Sequence, residues 1–192
     1  MKKIIAANWK MNKTVSETKD FLRDFKGKIQ NEDNCEIIVF PPFTSLVDAV
    51  RVCENTNIRI GAQNCHCESS GAFTGEVSAE MVRDIAVDYV ICGHSERRKY
   101  FFETDEIVNK KIHRALENNL KVIFCVGESL EIRENGKVNE WIAGQIKNGL
   151  KGISKENLKN ITVAYEPIWA IGTDKAINAE SANDVAKFIK NV

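Results

Sequence analysis

The stretch ANWKMNKT, Ala7–Thr14, follows the first apolar run of the chain and decides between two architectures. An open sheet of the dinucleotide-binding kind would carry G-x-G-x-x-G here, so that a phosphate could approach the backbone at a helix start. Instead an asparagine and a lysine flank a tryptophan. The open sheet loses ground, and a closed barrel gains.

Outward from that stretch, short apolar runs alternate with longer amphipathic ones. The runs are KIIAAN, EIIVF, IRIGA, DYVICG, KVIFCVG and ITVAYE, each rich in Ile, Val or both. They read as parallel strands buried on both faces. Helical spacing covers Thr14–Lys28, Thr44–Asn55, Ser78–Ile85, Thr104–Asn118, Val138–Leu150 and Ala179–Lys190, and Thr14 with Glu17 has the spacing of a capping box. Six strand-helix units in succession predict an α/β fold with right-handed crossovers. The expected architecture is a (β/α)8 barrel with the first six βα units present, one domain over residues 1–192 lacking units 7 and 8. Polar residues gather where strands end: Asn8 and Lys10, His94, Glu128 and Glu166. In such barrels these ends build the active site.

Bulk properties exclude several function classes. Lys plus Arg and Asp plus Glu number 27 each, so no charge excess asks for nucleic acid or an anionic membrane. The apolar run Ile4–Ala7 is too short for a secretion signal, and no run approaches the ~18 apolar residues of a membrane span. The expected compartment is the cytosol. Cys35, Cys53, Cys65, Cys67, Cys92 and Cys125 sit largely in apolar runs, as buried reduced thiols do. NCHC at Asn64–Cys67 lacks a second ligand pair, so no metal is expected.

Four residues at three strand ends can carry chemistry. Asn8 and Lys10 stand two apart, so on a strand both point to one face, with a solvated surface lysine as the bland alternative. His94 ends a strand in CGHSERR, where Ser95 can open a short helix. The positive potential of a helix start disfavours imidazolium, so His94 is expected to be neutral, either donating to a ligand or merely satisfying backbone groups. Glu166 ends VAYE in an apolar setting that raises a carboxyl pKa and suits a general base, although it could equally partner a lysine. Together, a base, a neutral donor and a cation suit proton abstraction beside a carbonyl, with His94 and Lys10 stabilising an enediolate. Pro167–Ala176 reads as a lid, with Gly172 able to offer its N–H to an anion.

These residues closely resemble the triosephosphate isomerase family. The matching motifs are NWKMN, QNC, GAFTGE, GHSERR, CVGE and AYEPIWAIGT, in the family's order along essentially the whole chain. The resemblance implies a (β/α)8 TIM barrel and a cofactor-free interconversion of dihydroxyacetone phosphate and D-glyceraldehyde 3-phosphate, a step of glycolysis and gluconeogenesis. It assigns Glu166 as base, His94 as electrophile, Lys10 and Asn8 as substrate contacts and Gly172 as part of the phosphate grip. A glutamate base paired with a neutral histidine is the arrangement known for that family. It further implies that Glu96 pairs with Lys10, and that the loop around Thr74 reaches into a partner, making a homodimer.

Two departures stand out. The lid reads GTDKAI where the family usually has Gly-Thr-Gly-Lys-Thr-Ala, so Asp174 replaces a glycine and Ala176 a threonine. Length is the other, because a barrel of this kind takes about 250 residues. Six strands leave two unpaired edges. An inactive fragment or binding scaffold is therefore an alternative reading, and a different barrel enzyme on phosphorylated sugars is a third.

Overall fold

The computed structural model describes residues 3–29 and 34–192. It divides into two compact units, one of Met1–Ile91 with Arg114–Val122 and one of Cys92–His113 with Ile123–Val192. The strands are β1 (Lys3–Asn8), β2 (Cys35–Phe40), β3 (Ile58–Ala62), β4 (Tyr89–Cys92), β5 (Lys121–Val126) and β6 (Ile161–Tyr165), and they lie in the sheet in chain order. Each falls on an apolar run read from the sequence.

In the first unit β1 pairs parallel with β2 from Lys3↔Cys35 to Asn8↔Phe40, and β2 with β3 from Ile37↔Ile58 to Val39↔Ile60. Gly61 and Ala62 of β3 pair with Tyr89 and Val90 of β4. Parallel neighbours require crossovers, which here contain α1 (Val15–Lys28), α2 (Leu46–Cys53) and α3 (Ala79–Asp84). The expected capping box starts α1: Thr14 Oγ1 accepts from the Glu17 N–H, and the Glu17 carboxylate accepts from the Thr14 N–H at 2.7 Å. Leu22 of α1, Leu46 and Ala49 of α2 and Ile38, Val39 and Phe40 of β2 are almost fully shielded. Each large side chain so buried contributes about 1.5–3 kcal/mol relative to exposure.

The second unit holds α4 (Ser95–Tyr100), most of α5 (Asp105–Glu117), α6 (Leu130–Glu134), α7 (Val138–Gly149), α8 (Lys155–Leu158) and α9 (Ala179–Asn191), with the end of β5 and all of β6. Phe124 and Val126 of β5 and Val108, Ile112 and Ile142 of the helices form its core. The sequence reading did not anticipate α6 and α8. At five and four residues they are too short to show a 3.6-residue period, although Ser129 and Ser154 cap them and were available as signals.

β1 departs from the expectation of strands buried on both faces. Most of its residues are exposed, Ile5 at 57%, because among the described strands β1 stands at the end of the sheet order, beside β2 alone. No helix among the described residues is long and apolar enough to cross a membrane, and the six cysteines are all thiols.

Gly61 shows how tightly the first unit is packed. A β-carbon there would overlap the ring of Phe40, which is 1% exposed. Gly61→Ala is expected to destabilise the protein by about 1–3 kcal/mol in equilibrium urea unfolding, as overpacking does. Phe40→Leu in the same chain should make the added methyl group less costly; equal costs in both backgrounds would show that the ring is not the obstacle.

Candidate active site

β4 ends at Cys92, and Gly93 takes a φ of +74° that turns the chain into α4. An L side chain at this φ is strained, so glycine suits the position. His94 is then the N-cap of α4, and its Nδ1 accepts from the Glu96 N–H at 3.2 Å. Accepting that bond requires a lone pair on Nδ1, which leaves the ring proton of a neutral imidazole on Nε2. Nε2 lies 3.4 Å from Glu166 Oε1, and both side chains are largely buried. The other carboxylate oxygen of Glu166 accepts from the Ser95 N–H at 3.1 Å. One end of one short helix thus fixes the tautomer of the histidine and holds the carboxylate against it. The Glu96 carboxylate sits on the opposite side of the ring, 3.6 Å from Nδ1.

The backbone of Glu166 continues the ladder of β6, its N–H donating to Val126 O at 2.8 Å. Burial first, and the neighbouring Glu166 carboxylate second, hold the Cys125 thiol well above its ordinary value, so it stays protonated beside the carboxylate. Arg98 ties the strand ends together. Its Nε donates to Gly93 O at 2.8 Å, its Nη1 to Asp105 at 2.6 Å and its Nη2 to Cys125 O at 3.4 Å.

Glu128, singled out by its place after β5, is fully buried and anchors the segment beyond Glu166. Its Oε1 accepts from Trp169 Nε1 at 2.9 Å, Tyr165 Oη at 3.0 Å and Arg133 Nη1 at 3.0 Å. The Arg133 guanidinium also lies over the Trp169 ring, 5.1 Å from its centroid. Burial, then the bond to Glu128, push the Tyr165 phenol upward. Beyond this anchor Thr173 folds the following segment on itself. Its hydroxyl is placed to donate to Trp169 O or Ala170 O, at 3.1 and 3.3 Å, and accepts from the Lys175 N–H at 3.1 Å. Gly172 has φ +69° in an exposed turn.

In the first unit, β1 stops at Asn8 and Lys10 adopts a left-handed φ of +54°. The strand-alternation argument for Asn8 and Lys10 therefore fails, because Lys10 is not on a strand. Asn8 Oδ1 instead accepts from the Lys10 N–H at 3.0 Å. Gln63 supports the turn, its Nε2 donating to Lys10 O at 2.9 Å and Phe40 O at 2.8 Å. A non-glycine residue held at positive φ costs of order 1 kcal/mol or more and persists where its surroundings enforce it. The sequence reading noted Gln63 only as part of a motif; nothing local reveals that its amide reaches a carbonyl 53 residues away. Thr74 is exposed in a loop closed by the His66 N–H bond to Val77 O, with Phe73 against the His66 ring. Among the described residues no cluster of three or more His, Cys, Asp or Glu side chains could hold a metal ion.

Comparison with known proteins gives a consistent answer. The family model described as triosephosphate isomerase matches residues 3–192. The triosephosphate isomerase of Dictyoglomus turgidum is 51% identical over 191 residues, which is 100% of this chain and 77% of that protein. That of Clostridium botulinum is 48% identical over 98% of this chain and 76% of its own length. The crystal structure of triosephosphate isomerase from Bartonella henselae superposes with a TM-score of 0.89 at 34% identity, over 100% of this chain and 75% of that one. The fold is accordingly the α/β TIM barrel fold, of which the described residues carry six strands, and the chain belongs to the triosephosphate isomerase family.

Proposed function

We propose that this isomerase interconverts dihydroxyacetone phosphate and D-glyceraldehyde 3-phosphate through an enediolate, with Glu166 as the base. The observation that carries the reading is the pairing of Glu166 with a histidine whose Nδ1 is already committed to the Glu96 N–H. A neutral ring donating through Nε2 can polarise a carbonyl and stay matched to the enediolate oxygen as charge develops. The carboxylate must leave the Ser95 N–H to reach a substrate carbon. Lys10 supplies positive charge for the substrate, and Asn8 holds the turn that presents it.

Gly172 serves in the phosphate grip when the lid closes, and closure shields the enediolate from water. Glu96 is a supporting residue of the site, its carboxylate 3.6 Å from His94 Nδ1. The exposed loop around Thr74 and the 96% exposed Met11 make the first unit's contribution to a homodimer. Tyr100, Phe101 and Phe102, 61–80% exposed, are that of the second. The setting is the cytosol, and the reaction uses no cofactor. An inactive scaffold is the second reading, favoured by the exposed outermost strand β1.

Glu166→Gln is expected to lower kcat by about 10²–10⁴-fold, the usual contribution of general base catalysis, in a dihydroxyacetone phosphate isomerisation assay. A folded wild-type chain without turnover would favour the scaffold. Turnover that survives loss of the carboxylate would instead point to another barrel chemistry.

Asp174 places a negative charge in the lid where the family usually has glycine. Asp174→Gly should therefore tighten substrate affinity and speed lid closure, read by stopped-flow fluorescence of Trp169. Unchanged affinity and closure rate would show that the aspartate is neutral to the motion.

A further inference from the structure

We infer that Gln145 and Trp141, on α7, are positioning residues for the base, acting on Glu166 through the backbone of Gly127. The inference rests on Glu166 being that base. Its physical origin is the geometry of a parallel strand, whose alternate residues bond to its two neighbours. At the end of β5, Val126 O accepts from the Glu166 N–H at 2.8 Å, and Glu128 O accepts from the Ile168 N–H at 3.2 Å. Both serve the β6 side. Gly127 lies between them, and its own N–H and C=O turn the other way, where β4 has already ended at Cys92.

Helix α7 supplies what the strand does not. Gln145 Oε1 accepts from the Gly127 N–H at 2.9 Å in a buried bond, and Trp141 Nε1 donates to Gly127 O at 3.0 Å. The two side chains, one turn apart on α7, hold both polar groups of one residue. Gln145 is 5% exposed, so deleting its acceptor strands a buried N–H that must shift to find a partner.

Gly127 cannot shift without disturbing Glu166. A β-carbon at Gly127 would overlap the Glu166 carbonyl, and the Ile168 side chain is 3.3 Å from the same point. The missing side chain is what lets the two backbones touch. Displacement of Gly127 therefore passes directly to the residue carrying the carboxylate, and errors near 1 Å cost about 10²-fold in rate. A neighbouring surface cleft beside Asp105, Lys137 and Asn148 is lined by the same two side chains, whose polar ends are already turned to Gly127.

The test compares Gln145→Met, which keeps volume and removes the acceptor, with Trp141→Phe, which keeps a ring and removes the donor. Ile146→Val on the same helix is the packing control. Both anchor variants are expected to lower kcat by about 10- to 100-fold with KM within about twofold, and the double variant by less than the product, since both act on one residue. The control should leave kcat and KM unchanged. Hydrogen exchange of the Gly127 and Glu166 amides, followed by NMR, decides the point independently of turnover. Faster exchange in both anchor variants but not in the control supports the positioning role. Equal protection in all three, or a loss of kcat shared by the control, overturns it. A wild-type chain without turnover but with the expected exchange pattern would count against the isomerase reading and leave the positioning of Glu166 by α7 intact.

Discussion

A parallel strand that outlasts its neighbour leaves backbone groups with no ladder to join, and buried groups of that kind must be met by something. Side chains from elsewhere meet them here. Gln63 answers the carbonyl of Lys10 in one unit, and shares that of Phe40 with the Trp9 N–H. In the other, Arg98 answers those of Gly93 and Cys125, and Gln145 with Trp141 answers both groups of Gly127. Each repair falls beside a residue assigned to chemistry. The strand ends are therefore where the chain has both unmet backbone and the means to fix a side chain in an exact place.

The same arrangement explains why a glycine, a histidine and a buried acid stand together here. Gly93 turns the chain so that His94 caps α4, and the cap sets the tautomer through Nδ1. The carboxylate of Glu166 then meets Nε2 on one oxygen and the Ser95 N–H on the other. Glu128 is an acid in a different role. Fully buried and bonded to three donors on one oxygen, it serves as an anchor for Trp169 and Tyr165. Environment, not residue type, separates the two glutamates.

The strands were legible because each apolar run stands alone between polar stretches, and α1 because Thr14 and Glu17 announce its start. His94 at a helix start was legible from the glycine before it and the serine after it. The conformation of Lys10 was not, since strand alternation holds only while the strand continues and β1 ends two residues earlier. Gln145 escaped for a different reason. Its partner lies 18 residues back, and on a helical wheel a glutamine among Ile142 and Ile146 reads as the margin of a core face. The exposure of β1 likewise depends on its place in the sheet order, which no local pattern records.

The lid segment has a further consequence. Thr173 links Trp169, Ala170 and Lys175, so the tip is held together by its own hydrogen bonds. Ordering a free residue costs about 1–2 kcal/mol of backbone entropy. On the proposed reading of this segment as a lid, a tip that has lost that entropy during folding would close as a plate about its two ends. Little binding energy is then consumed in ordering it, and more remains to favour the closed state over the open one.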